Sequence, residues 1–189
     1  MVIIRELLSR CRFFNSADRL GPDFPTTHWR LHVPSLMTAL CRKKFKYFGH
    51  GAQFRAGAYA EACSKIEIGA GVVIRPGSFL FADPRPGGAG IIIEDHVLLG
   101  PAVHVYTNNH EFTNPDVPIA FQDYPPVRSS DSVKISSGSW VGAGAVILPG
   151  VTIGTNTVVG AGSVVTRSLP SGVVAAGNPA RVIRSIRVA

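Results

Sequence analysis

The sequence predicts an all-β solenoid, and three observations predict it. From Ile135 onward the chain divides into sixes, "ISSGSW", "VGAGAV", "ILPGVT", "IGTNTV" and "VGAGSV", each led by Ile or Val and followed by Val165. The fifth place of each six is small or β-branched: Ser139, Ala145, Val151, Thr157 and Ser163. The same frame recurs earlier in "IEDHVL", "LGPAVH" and "VYTNNH", and more faintly in "IGAGVV" and "IRPGSF" from Ile68 and Ile74. A period of six matches neither the turn of an α-helix nor the alternation of a flat strand.

Each six reads as a short strand plus a turn, so that three make one triangular coil. The leading aliphatic residue of each six points inward, and successive coils stack about 4.8 Å apart through ladder hydrogen bonds. Gly, Asn and Pro fill the corners, where the backbone takes φ values that β-branched residues resist.

Composition agrees with one folded unit. The chain has 189 residues, 46% of them apolar, and its 20 Gly and 14 Pro recur among Val and Ile as punctuation rather than as a low-complexity block. Three segments are expected: an N-terminal helical or irregular cap at 1–47, the solenoid at 48–172 with an irregular opening coil, and a tail at 173–189. The start, "MVIIRELLSRCRFF", has apolar residues at helical spacing interrupted by Arg5, Glu6, Arg10 and Arg12. That pattern suits an amphipathic helix and excludes a signal peptide and a membrane span. After Val165, Pro170 and Gly172 turn the chain out of the repeat, and "VVAAGNPARVIRSIRVA" reads as a returning strand followed by a short basic helix or tail. Both end segments have the structural role of capping a solenoid.

Cys11, Cys41 and Cys63 are odd in number and lack metal-ligand spacing, so free thiols in a reducing compartment, the cytoplasm, are expected. The net charge of +7 includes "RKKFK" at 42–46 and Arg181, Arg184 and Arg187. Such charge suits a polyanionic partner, whether nucleic acid, an anionic membrane surface or a phosphate-bearing cofactor, although a short basic run is commonly a solvated face.

The repeat breaks after "VYTNNH". Residues 111–132, "EFTNPDVPIAFQDYPPVRSSDS", form a long loop whose Phe112, Phe121 and Tyr124 are too apolar for a floppy linker. Such a loop is expected to fold over a neighbouring coil or subunit. His110 stands at its mouth, and a histidine is the side chain suited to trading protons near neutral pH. The alternative for His110 is a corner residue bonded to a turn. His104 occupies the same place one face earlier, His96 lies near a corner, and His28, His32 and His50 precede the solenoid.

The segment "VGAGAVILPGVTIGTNTVVGAGSVVT" at 141–166, together with "AAGNPARVIR" at 175–184, resembles the hexapeptide-repeat acyltransferases, among them the sugar and polysaccharide O-acetyltransferases. The resemblance is strongest from Ile66 to Arg184. It implies a left-handed parallel β-helix, a homotrimer, and acetyl-CoA as acyl donor with no metal. It also implies His110 as the base that deprotonates the acceptor hydroxyl, and a cofactor groove between subunits lined by Trp140, Ala143, Ala161, Thr166, Arg167, Arg181 and Arg184. Asn109 and Asp83 are the acceptor-binding candidates. Asp83 lies in "FLFADPRPGGAG", where the family pattern has an Asn or Asp on the preceding coil; it is read as binding the acceptor or orienting His110, and a turn-forming role before Pro84 competes with both.

The expectation is therefore acetyl transfer to a sugar or glycan hydroxyl in surface polysaccharide or lipopolysaccharide synthesis, with neither a nucleic-acid partner nor a transmembrane segment. Three other readings stand beside it: an N-acetyltransferase of an amino-sugar, a zinc protein like the γ-class carbonic anhydrases of the same fold, and a non-catalytic solenoid. The zinc enzymes resemble one another in a His pair five residues apart, whereas His104 and His110 are six apart.

Overall fold

In the computed structural model, residues 2–186 are described, and most of the strands among them stack into three parallel sheets. Five coils carry one strand on each face. The first has Tyr47–Phe48, Gln53–Phe54 and Tyr59–Glu61; the second Ile66–Ile68, Val73–Ile74 and Phe79–Phe81; the third Ile91–Ile93, Leu98–Leu99 and His104–Tyr106. The fourth has Val133–Ile135, Trp140–Val141 and Val146–Ile147, and the fifth Thr152–Ile153, Val158–Val159 and Val164–Val165. Each strand pairs in parallel with its counterpart one coil away, so Leu80, Val105, Ile147 and Val165 form one continuous inward column.

The column positions are sealed from solvent: Ile135, Ile147, Ile153 and Val165 are fully buried. The fifth places are buried as well, and their small hydroxyls satisfy corner backbone. Ser139 Oγ donates to the Gly154 carbonyl at 2.7 Å, and Thr157 Oγ1 donates to that of Pro170 at 2.7 Å. A polar group buried under each of these corners is thus paired, as stability requires.

The glycines divide into two groups, which refines the corner argument. Gly144, at φ +68°, sits in the left-handed region, and Asn156 takes a corresponding corner place at φ +52°. Gly142, directly after an inward Val, has another cause: a Cβ there would lie 2.5 Å from the Ala161 amide nitrogen of the next coil. Stacking distance, not dihedral freedom, excludes a side chain at that position.

Each end carries an antiparallel pair on one of its sheets, the C-terminal one joined to the solenoid by parallel pairing of Val173–Gly177 with Val158–Val159. Arg19–Leu20 pairs with Tyr59–Glu61, and the C-terminal hairpin of Val173–Gly177 and Ala180–Ser185 covers the other end of a second sheet. Such pairing occupies edge hydrogen-bonding groups that would otherwise recruit other strands. Ahead of the solenoid come the helix Val2–Ser16, a short turn of helix at Pro25–His28 and the helix Pro34–Lys44. The short basic helix expected after the returning strand is absent among the described residues: the chain doubles back as a second strand instead, because Val173–Gly177 offers it a free edge. Arg187 lies outside the described residues.

Candidate active site

The strand His104–Tyr106 delivers the chain to a corner, where Thr107 is buried and pins the exit. Its hydroxyl reaches the carbonyls of Phe81 and Ala89 at 3.3 and 3.2 Å. Asn108, Asn109 and His110 follow, and the loop beyond closes at its base with the Glu111 amide donating to the Asp123 carbonyl at 3.0 Å. Inside the loop, the Gln122 amide group bonds the backbone of Asn114 and Val117, which gives this segment its own packing without sheet or long helix.

His110 is exposed, and its ring lies 4.6 Å from that of Tyr124 at an interplanar angle of 27°. Among the described residues neither imidazole nitrogen has a hydrogen-bond partner, so both are open to a ligand. Arg85 ties the neighbouring insertion to this loop. Its Nη1 donates to the Pro125 carbonyl at 2.7 Å and its guanidinium carbon lies 5.3 Å from the Tyr124 ring centroid.

Asp83 is 2% exposed and engaged by Arg85 on both carboxylate oxygens, with Nη2 to Oδ2 at 2.7 Å and the Arg85 amide to Oδ1 at 3.0 Å. Hydrogen bonds from the Arg85 side chain hold its carboxyl below the usual carboxylate range, against burial, which pushes the other way; the Arg85 amide bond and the Arg85 and Lys65 charges add to the lowering. Asp83 thus makes the turn expected before Pro84 and also faces the cavity. It makes no hydrogen bond to His110, so an orienting contact between the two is not found. Gly88 has to be Gly here, since a Cβ would lie 2.5 Å from the Asp83 carbonyl oxygen.

A cavity of about 470 Å³ opens between these elements, and its wall includes Glu61, Asp83, Arg85, Asn109, His110 and Tyr124, over Phe81 and Tyr106. Sequence reasoning brought Asp83, Asn109 and His110 together here and missed Glu61, Arg85, Tyr124 and the two wall aromatics. Register explains Glu61: it aligns with Phe81, which aligns with Tyr106 on the third coil. Phe81 and Tyr106 stack with centroids 5.2 Å apart at 6°. The opening coil, expected to be irregular, keeps the six-residue step at the buried Phe48, Phe54 and Ala60, in register with Ile68, Ile74 and Leu80. Phe and Ala in place of Ile and Val hid that frame, although a strand-length "YAE" two coils below "HVY" was a usable signal.

The residues expected to hold the cofactor fall in two places outside this cavity. Ala143 and Ala161 stack at one corner, where the Gly162 amide donates to the Ala143 carbonyl at 2.8 Å. Trp140, Arg181 and Arg184 are exposed on the adjoining sheet, the arginines on its hairpin edge. Thr166 and Arg167 follow Val164–Val165 at the opposite end of the strands, on the corner column that His110 shares, two coils away. His104 is engaged elsewhere, with its Nδ1 3.1 Å from the Tyr106 hydroxyl and its ring packed 4.7 Å from Phe79. Among the described residues of the single chain no three His, Cys, Asp or Glu side chains gather as a metal site.

Comparison with known proteins agrees with this architecture. The model of the bacterial transferase hexapeptide (six repeats) matches residues 132–167. A Saccharomyces cerevisiae protein is 44% identical over 99 residues, 52% of this chain and 47% of that protein. The galactoside O-acetyltransferases of Lactococcus lactis and Escherichia coli are each 34% identical, over 81% and 78% of this chain and 69% and 68% of theirs. Among solved structures, a galactoside acetyltransferase in complex with coenzyme A superposes with a TM-score of 0.69 at 29% identity, covering 95% of this chain and 78% of that one. A Vibrio cholerae hexapeptide-repeat acetyltransferase complexed with acetyl-CoA gives 0.68 at 28%, over 88% and 91%. With coils built from six-residue repeats, an inserted loop at the third coil and relatives matched along most of its length, the chain belongs to the hexapeptide-repeat acetyltransferases.

Proposed function

We propose that the protein transfers an acetyl group from acetyl-CoA to a hydroxyl of a sugar or glycan, with His110 as general base. The observation that carries this reading is an imidazole with both nitrogens free, held at the wall of a cavity by a stacked tyrosine. In the step itself an acceptor O–H gives its proton to His110 as the oxygen attacks the thioester carbonyl. The tetrahedral intermediate then collapses, the C–S bond breaks, and the imidazolium returns the proton to the leaving thiolate. A free backbone N–H aimed at the carbonyl oxygen would stabilise the intermediate. No covalent enzyme intermediate is needed, and the buried Cys41 and Cys63 are not placed to form one.

The assembly in this reading is a homotrimer of left-handed coils. The pantetheine lies in the groove between subunits, beside Ala143, Ala161 and Trp140. Arg167, Arg181 and Arg184 meet the CoA phosphates, and Thr166 borders the thioester end. The exposed loop aromatics Phe112, Phe121 and Tyr124 suit a role in covering a neighbour. Asn109 and the Asp83–Arg85 pair contact the acceptor, and Glu61 offers a carboxylate with no partner among the described residues to acceptor hydroxyls. Surface polysaccharide or lipopolysaccharide synthesis in the cytoplasm is the setting that fits a glycan acceptor.

The test is release of CoA from acetyl-CoA by the purified protein across a panel of sugars, glycan fragments and amino-sugars. Turnover with hydroxyl acceptors is expected. Turnover confined to amino-sugars would assign N-acetylation, and no CoA binding with no turnover would leave a non-catalytic solenoid.

A further inference from the structure

We propose that the helical cap is a docking surface for an anionic lipid bilayer, on which the molecule lies without crossing it. Charge is the first observation. Residues 1–47 hold nine Lys and Arg against three Asp and Glu, a net +6 out of the chain's net +7. The solenoid and tail are close to neutral, which makes the molecule electrically one-sided.

The second observation is what accompanies that charge. Ile3, Ile4, Leu7 and Leu8 are 70%, 62%, 60% and 56% exposed, although they begin a regular helix, Val2–Ser16. At 3.6 residues per turn they fall on one arc, bordered by Arg5 and Arg12 on one edge and Arg10 on the other. The far end of the helix is anchored. Phe14 packs edge-on to Phe24 with centroids 4.9 Å apart, Phe13 stacks on the same ring at 6.1 Å, and Lys44 Nζ bonds the carbonyls of Asn15 and Ala17. The first two turns therefore present an apolar face that the body of the chain does not cover.

An aliphatic face bordered by arginines is the arrangement that sinks into the headgroup boundary while its cations stay among lipid phosphates. The two other occupants fit less well. A second copy of the cap would bring its own net charge of +6 against this one. A nucleic acid would use the arginines and leave the four aliphatic side chains in water. The helix does not cross: among the described residues none is long and apolar enough.

The test is vesicle co-sedimentation of the full chain, with phosphatidylcholine alone and with phosphatidylglycerol added, at low and at physiological salt. Binding about tenfold or more tighter to the anionic vesicles, and weakening as salt rises, is expected. The double variant Leu7→Asp/Leu8→Asp should lose about tenfold or more of that affinity, and Arg5→Gln/Arg12→Gln should lose the anionic preference. Circular dichroism checks that both remain folded, and the arginine pair keeps the test decisive if the leucine pair does not. Equal binding to both vesicle types, or none, overturns the proposal. So does a leucine variant that binds vesicles like the native chain but sediments as a smaller species, which would assign the face to a second copy. Retention on heparin unaffected by the leucine changes, without vesicle binding, would assign it to a soluble polyanion.

Discussion

Tyr124 lies nearly parallel to His110, ring on ring, with 4.6 Å between centroids. Arg85 holds that tyrosine through its guanidinium, 5.3 Å from the ring centroid, and a bond to the next carbonyl, while Asp83 fixes Arg85. A chain of contacts therefore runs from the second coil to the imidazole. Replacing Arg85 by Ala is expected to lower kcat/KM about tenfold, and Tyr124→Ala similarly. The double variant should fall little further than either, since both cut one chain. Steady-state kinetics of the four proteins measures the coupling.

Asp83 makes stability depend on acid. Its carboxyl titrates lower in the folded protein than in the unfolded chain, chiefly through the Arg85 hydrogen bonds. The stabilisation is therefore complete above the ordinary carboxylate range, near pH 4, and fades as pH falls through the lower folded value. Thermal unfolding from pH 5 down to pH 2 should show Asp83→Asn less stable than the native protein at pH 5, with a smaller further loss on acidification.

The stacking glycines should not tolerate a methyl group. A Cβ on Gly142 meets the next coil's backbone at 2.5 Å, and one on Gly154 meets the Ser171 amide nitrogen at 2.4 Å. Gly142→Ala or Gly154→Ala is expected to cost about 1–3 kcal/mol and lower Tm by several degrees. At Gly162 the space is open, and only the positive φ resists a side chain.

Thiol reactivity should separate the cysteines. Burial pushes the Cys41 thiol up to about 12, and Cys63 is raised further, again chiefly by burial. Cys11 is half-buried at the helix surface. A disulfide reagent at pH 8 should therefore modify one thiol quickly in the native protein and all three only after denaturation.

The six-residue frame made the solenoid legible because each inward Ile or Val repeats a physical demand. Ile135, Ile147 and Val165 had to be buried whatever the handedness. The position of His110 was legible for the same reason, as the place where that demand lapses. Arg85, Tyr124 and Glu61 were not, because an insertion and a loop carry no period, the opening coil leads its sixes with Phe48, Phe54 and Ala60 instead of Ile or Val, and their meeting depends on tertiary register. Gly142 shows a subtler gap: its place in the repeat is plain from the residues alone, while its cause is an interatomic distance between coils. The tail reads as a returning strand followed by a short basic helix or tail; the strand is there, and its available edge draws the next segment into a hairpin instead of a helix.

The proposed chemistry stands or falls on His110 moving the proton of the acceptor. Single-turnover acetyl transfer by native protein and by His110→Ala, with CoA affinity measured alongside, decides it. A rate about 10²- to 10⁴-fold lower in the variant, with CoA affinity unchanged, is the predicted result. Transfer by His110→Ala at a rate within about twofold of native would contradict it.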